Sequence, residues 1–288
     1  MSTVATRGVR AGSWSALSVL AATVVLLPAA CHRPPSPAPS PPAPQAPADV
    51  VVLGDVDPTI RTDIRYATER NFVGRPLEGY REPLCLLTRA AADALRRVQA
   101  AALTHGHTVK VYDCYRPGSA ADDILRWARD PGETPTGRTY HPRLSKSDLF
   151  AQGYLAAPTA HSRGSTVDLT LVRLPTSSPP PVSPAPAAPS ASGRGSGAGA
   201  GACTAPRAQR SADDSVDMGT GFDCFDPLSA TDAAAIPAVA RENRALLLRL
   251  MTEGGFVNYP REWWHYRLSD EPYPDTYFDF PVSRAAVR

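Results

Sequence analysis

Proline is concentrated in two tracts, Pro34 to Pro47 and Pro175 to Pro206, which together hold 16 of the 31 prolines in the 288-residue chain. Each proline fixes φ and removes a backbone donor, so neither tract can sit inside a packed core. The tracts and the N-terminal leader set aside, roughly 200 residues remain, a common size for one domain with one hydrophobic core. A formal net charge of +2 and 20% charged residues argue against a nucleic-acid reader. The arginine bias (Lys110 and Lys146 are the only lysines) forms no basic run.

Arg7 and Arg10 precede an apolar stretch from Ala16 to Leu27, followed by Pro28-Ala29-Ala30-Cys31. This is the charged, apolar, small-residue order of a secretory signal, and its apolar part is too short to span a bilayer. Residues 1–31 therefore read as a signal, and the protein is expected in the periplasm or cell envelope. Cys31, after two alanines and ahead of a proline-rich spacer over residues 32–48, is a candidate for lipidation and membrane attachment; ordinary cleavage near Ala30 is the alternative. Export makes disulfides the expectation for the other four cysteines, Cys85, Cys114, Cys203 and Cys224. Of three possible pairings, the favoured one joins Cys85 with Cys114, the start of a helix to the end of a strand, and Cys203 with Cys224, at the end of the second low-complexity tract.

Residues 175–211 carry too little large apolar content to pack and read as a disordered Pro/Ser/Gly/Ala-rich insertion within a domain spanning 49–288. Ala91, Leu95, Val98 and Ala102 recur at helical spacing in Leu87 to Leu103, and Thr108 to Asp113 alternates as a strand. Ala120 to Ala128 and Ala238 to Met251 read as further helices. In Ser165 to Val172, Val167, Leu169 and Leu171 share one face and Thr166, Asp168 and Thr170 the other. Trp263 to Leu268 is strand-like. With no strict alternation and no phosphate-cradling glycine loop, this is the pattern of an α+β domain with a small antiparallel sheet flanked by helices.

His32, His105, His107 and His141 lie in spacer or loop segments and read as solvated. His161 stands in Thr159-Ala-His-Ser-Arg-Gly-Ser-Thr-Val-Asp168, where a glycine-assisted turn into a strand can bring imidazole and carboxylate to one point. His265 stands in Glu262-Trp-Trp-His265. Two imidazoles and a carboxylate leave zinc an open fourth position for water, and Glu262 is placed to shuttle a proton beside it. Strand geometry would put Glu262 and His265 on opposite faces, so a turn or bulge is required at Trp263. The competing reading is a core histidine paired to a structural aspartate with the tryptophans packing.

His161-Ser-Arg-Gly-Ser-Thr-Val-Asp168-Leu-Thr together with Glu262-Trp-Trp-His265 resembles the paired motifs of D-alanyl-D-alanine dipeptidases of the VanX type. The likeness continues through Asp63-Ile-Arg-Tyr-Ala-Thr, Asn71-Phe-Val-Gly74, Val111-Tyr-Asp-Cys-Tyr-Arg-Pro117 and Asp217-Met-Gly-Thr-Gly-Phe-Asp223, covering Val51 to Phe280. The resemblance implies one Zn2+ per chain held by His161, Asp168 and His265, Glu262 as general base and acid, and Arg116 steadying the oxyanion, a role suited to a rigid, permanently charged fork. It also implies Asp217 as a receiver of the substrate ammonium group. The insertion departs from the family pattern. The expected activity is that of an exported zinc dipeptidase acting on a small D-amino-acid dipeptide in cell-wall turnover. The alternatives are a zinc D,D- or L,D-carboxypeptidase acting on cell-wall peptides, and a wall-binding zinc domain without catalysis.

Overall fold

The computed structural model describes residues 44–132, 135–175 and 201–287. The signal, Cys31 and most of the first proline tract lie outside these residues, as does 176–200 of the insertion. In chain order the regular elements are β1 (Val50–Val52), α1 (Leu53–Val56), β2 (Arg61–Thr62), β3 (Leu86–Thr88), α2 (Arg89–Thr104), β4 (His107–Asp113), α3 (Gly118–Arg129), α4 (Gly137–Tyr140), α5 (Lys146–Ala151), β5 (Thr166–Arg173), α6 (Ala238–Glu253), β6 (Phe256–Asn258) and β7 (His265–Leu268). Short 3-10 turns punctuate the loops. The class is α+β, and no helix among the described residues is long and apolar enough to cross a membrane.

Five strands form the main sheet in the order β2-β4-β5-β7-β6. Its four longer strands pair antiparallel, but β2 runs parallel to β4, with Arg61 beside Lys110 and Thr62 beside Val111. The expectation of a purely antiparallel sheet is corrected there. A two-residue edge strand with both side chains exposed carries no alternation from which its direction could be read. β1 and β3 pair antiparallel in a separate ribbon, Val51 opposite Leu87.

The alternation in β5 decides which face does what. Val167, Leu169 and Leu171, with Val109 and Val111 of β4, join one apolar cluster with Ala91, Leu95 and Val98 of α2 and Leu247, Leu250 and Met251 of α6. α2 starts at Thr88, whose hydroxyl accepts from the Ala91 N–H, and ends before Gly106 at φ +70°, the left-handed position that favours glycine after a helix. The opposite face of the sheet holds Asp113, Asp168 and Thr170, also buried. A second apolar cluster of Tyr66, Phe72, Trp127, Leu149, Tyr154 and Phe225 lies outside the first.

Both expected disulfides are present, Cys85–Cys114 and Cys203–Cys224, with sequence separations of 29 and 21 residues. Loops of that length make each worth roughly 3–4 kcal/mol in the chain-entropy account. The second bond corrects the insertion's extent, because residues 201–211 are held in place. Cys203 donates its N–H to Thr139 O, Gly201 donates to Gln209 O, and Arg207–Gln209 form a 3-10 turn. The spacer likewise ends early, since Ala46 N–H bonds Ala286 O.

Residues 217–230, without strand or α-helix and with one 3-10 turn at Pro227–Ser229, are pinned by Arg244 of α6. Its buried guanidinium donates from Nε to Met218 O (2.7 Å), from Nη1 to Ala230 O (2.5 Å) and from Nη2 to Leu228 O (2.9 Å). Burial without a carboxylate partner lowers its pKa to about 10. Arg244→Met leaves three inward carbonyls without that donor, and is expected to cost about 2–4 kcal/mol. A thermal scan should show the midpoint falling by roughly 10 °C.

Candidate metal centre and active site

Three strands deliver three functional positions side by side. Asp113 of β4 is in register with Asp168 of β5, and Asp168 with His265 of β7. His161 reaches the same point from the 3-10 turn Ala160–Arg163, which ends at Gly164 with φ +79° before β5 begins. The turn that the sequence suggested is thus formed. His161 Nε2 lies 3.3 Å from Asp168 Oδ2 and 3.3 Å from His265 Nδ1, and His265 Nδ1 lies 3.1 Å from Asp168 Oδ1.

These separations fit a metal ion. Bonds of about 2.0–2.1 Å to a tetrahedral ion put neighbouring ligand atoms about 3.3–3.4 Å apart. Within the described residues this is the group of His, Cys, Asp or Glu side chains close enough to share an ion. Asp168 Oδ1 is buried without a hydrogen bond, a costly arrangement unless something else contacts it. His161 Nδ1 donates to Cys114 O at 2.7 Å, which leaves Nε2 as the lone-pair nitrogen facing the other ligands. Burial lowers the His265 pKa despite the pull of Asp168, keeping that imidazole neutral and able to ligate. Burial alone would raise the Asp168 pKa, but the electrostatic pull and hydrogen bonding of His161, then of His265, hold it well below the usual carboxylate range.

Glu262 joins the ligands through the turn that the sequence required. Glu262 N–H donates to Tyr259 O and His265 N–H to Glu262 O, so the chain bends at Trp263 before β7 starts. Asn258 Nδ2 staples this bend, donating to both Glu262 O and His265 O at 3.0 Å. Glu262 Oε2 ends 3.7 Å from His265 Nδ1. Burial, then Asp168 and Asp223, push its pKa well up, as suits a group that takes and returns a proton. Arg116 is buried with Nε and Nη2 on Asp113 Oδ2 (3.0 and 2.9 Å), Nη2 3.8 Å from Asp168, and its guanidinium 4.6 Å from the centre of the Tyr66 ring. Burial opposes its charge, but Tyr66 and Asp113 foremost hold it cationic.

A sequence profile of the M15 peptidases, described as D-ala-D-ala dipeptidase, matches residues 47–179 and 196–283. The chain belongs to that family. It is 38% identical to the D-alanyl-D-alanine dipeptidase of Enterococcus faecalis over 224 residues, 78% of this chain and 93% of that protein. It is 35% identical to the enzyme of the same name from Streptomyces coelicolor, over 82% of this chain and 98% of that protein. A third relative so named, from Enterococcus faecium, is 34% identical over 80% of this chain and 96% of its own length. The M15 chain described here is accordingly a metallopeptidase.

In this M15 peptidase His161, Asp168, His265, Glu262 and Arg116 line one cavity of about 320 Å³. Asp217 is not part of it. Its carboxylate accepts from Arg210 Nη2 and from Gly219 N–H, where Gly219 turns at φ +84°. The expectation of Asp217 as ammonium receiver is corrected: the acid of that motif that lines the cavity is Asp223, whose carboxylate takes the Tyr66 hydroxyl at 3.0 Å. Burial, then Asp168, raise its pKa well above the usual range. Asp223 also adopts φ +56°, unusual for a residue with a side chain. Sequence reasoning quoted this segment but picked the wrong end, since an Asx turn before Gly219 and a cavity acid look alike in one dimension. It also passed over Asp113, buried under Tyr80 Oη (2.6 Å), Arg116 and, at 3.4 Å, His161 Nδ1; its i, i+3 spacing from Arg116 was the available signal.

The remaining histidines divide. His105 is exposed as expected. His107 and His141 are buried, each with Nδ1 on a backbone carbonyl, His105 O and Leu144 O respectively. Arg163 shapes the loop around the site through a bidentate pair with Glu271 (3.0 and 2.9 Å). His161→Ala removes one of the two imidazole nitrogens that face Asp168, and the zinc content found by elemental analysis after dialysis against zinc should fall from about one metal per chain to near none.

Proposed function

We propose that the protein is an exported zinc dipeptidase that hydrolyses D-alanyl-D-alanine. The observation that carries this reading is the small cavity in which the His161/Asp168/His265 trio, Glu262, Arg116 and the buried acid Asp223 meet. At about 320 Å³ it is at the lower limit of ligand pockets, a size for a very small substrate. Zinc is supported by the donor set of two imidazoles and one carboxylate, the three-protein-ligand pattern of catalytic zinc sites with a fourth position left for water. The name shared by the E. faecalis, S. coelicolor and E. faecium relatives supports the dipeptide.

The bound ion supplies Lewis acidity toward the scissile carbonyl and lowers the pKa of water beside it. Glu262 accepts a proton from the attacking water as the new C–O bond forms and the carbonyl π electrons move to oxygen, then passes that proton to the amine nitrogen as the carbonyl re-forms and the peptide C–N bond breaks. Arg116 Nη1 makes no hydrogen bond among the described residues and is free to meet the oxygen that gains charge in the transition state. Asp223 receives the substrate's free ammonium group. Its raised pKa fits a carboxyl that is neutral when the site is empty of cations and ionises against one.

A carboxypeptidase acting on longer wall peptides has no use for a buried partner to a free amine, and a pure binding domain has no use for Glu262, so Asp223 and Glu262 favour the dipeptidase. Export is supported by the leader from Arg7 to Ala30 and by two formed disulfides, which persist in oxidising compartments. Wall-derived peptides are the expected source of substrate there, with attachment through Cys31 as the membrane-bound form.

The test is release of free D-alanine from D-alanyl-D-alanine by the zinc-loaded chain, abolished by a chelator and restored by zinc. Glu262→Gln should lower kcat by about 10²–10⁴. Asp223→Asn should raise KM by about tenfold or more with a smaller change in kcat, and N-acetyl-D-alanyl-D-alanine should not be cleaved. Efficient cleavage of the acetylated dipeptide would move the reading to a carboxypeptidase.

A further inference from the structure

Each disulfide ends one residue after a buried acid at the site, Cys114 after Asp113 and Cys224 after Asp223. Cys114 follows Asp113, the last residue of β4 paired to β5. Its carbonyl is therefore the first one past the ladder, and it is the acceptor that orients His161 through Nδ1. The backbone beside it is also held by Tyr115 N–H on Leu86 O and a longer bond from Arg116 N–H to His161 O (3.3 Å), and the neighbouring side chains by Tyr115 Oη with Phe280 and Arg116 Nε with Asp113. The bond to Cys85, itself next to β3, ties this carbonyl to the β1–β3 ribbon, and both cysteines are buried.

Cys224 follows Asp223. The Asp223 backbone is in the left-handed region, and neither its N–H nor its carbonyl makes a hydrogen bond among the described residues. Its conformation is set by its neighbours: Gly221 N–H on Cys203 O, Phe225 N–H on Tyr140 O, the Ser229 hydroxyl on Cys224 O, and the covalent bond from Cys224 to Cys203. Cys203 is in turn fixed to α4 through Thr139 O.

We infer that the two disulfides are positioning devices with divided duties, Cys85–Cys114 setting the metal ligand His161 and Cys203–Cys224 setting Asp223 for the substrate's ammonium group. The second half rests on the function proposed above; the first needs only the metal site. A disulfide that merely stabilised the fold would raise the unfolding temperature and leave both affinities alone in the folded protein.

The duties separate in two binding measurements on the full chain, neither of which needs turnover. Zn2+ affinity is read by competition with a chromophoric chelator. Affinity for D-alanyl-D-alanine is read by calorimetry on zinc-saturated protein carrying Glu262→Gln. The pair Cys85→Ala with Cys114→Ala should weaken Zn2+ by about tenfold, the lower end of what a disturbed support of a ligating histidine costs, and leave dipeptide affinity unchanged once zinc is saturating. The pair Cys203→Ala with Cys224→Ala should leave Zn2+ affinity unchanged and weaken the dipeptide by about tenfold. Should a double variant not fold, wild type treated with a phosphine and alkylated, with each bond's state read by peptide mass, gives the same comparison. Unchanged affinities in folded, disulfide-free protein, or the two effects interchanged, overturn the proposal. Absence of any dipeptide binding by the zinc-loaded Glu262→Gln parent, its own disulfides intact, overturns the second half together with the functional reading, while the zinc arm decides the first half alone.

Discussion

Asp168 places a carboxylate in the middle strand of the sheet, nearly out of reach of water, where an isolated charge is too costly to keep. It is tolerated because two imidazoles meet it, one from the preceding turn and one from the neighbouring strand. The rest of the site follows from that requirement. β7 must pair with β5 in the register that sets His265 beside Asp168, the Gly164 turn must bring His161 back, and the bend at Trp263 must keep Glu262 on the same side.

Charge balance around this point is unequal without a cation. Asp113, Asp168, Asp223 and Glu262 are all buried near a single guanidinium, Arg116. Burial, only partly offset by Arg116, raises the pKa values of Asp113, Asp223 and Glu262, while Asp168 alone is held low. Such a cluster calls for compensating positive charge, which the proposed divalent ion at the trio and the proposed ammonium group at Asp223 would supply. Ion binding would also draw down the pKa of the neighbouring acids, the usual consequence of a cation as the largest local charge. Asp113 locks Arg116 in place, and in the proposed function a donor fork fixed before substrate arrives needs no reorganisation when charge develops.

Much of this was legible because it is local. Alternation in β5 separated Val167, Leu169 and Leu171 from Asp168, and the stretch from His161 to Asp168 contained its own glycine turn. Glu262 and His265 conflicted with strand periodicity, and that conflict marked the functional bend. What escaped depends on distant parts of the chain. The direction of β2 is set by pairing across an excursion that includes β3 and α2, and two residues hold no pattern. Asp223 became distinguishable from Asp217 only once Arg210 was seen to hold Asp217 and Tyr66 to meet Asp223. Residues 201–211 looked like the rest of the insertion in composition, yet the single bond from Cys203 to Cys224 and the carbonyl of Thr139 order their start. His107 and His141 looked like loop histidines but are buried because a neighbouring carbonyl satisfies Nδ1.

The proposed joint hold of His161, Asp168 and His265 on one zinc ion, with a position left open, is measured directly by X-ray absorption at the zinc edge of the loaded protein. The expected result is a four-coordinate shell of nitrogen and oxygen at about 2.0–2.1 Å with outer-shell scattering from two imidazoles. Sulfur at about 2.3 Å, or an oxygen-only shell without imidazole scattering, would contradict it.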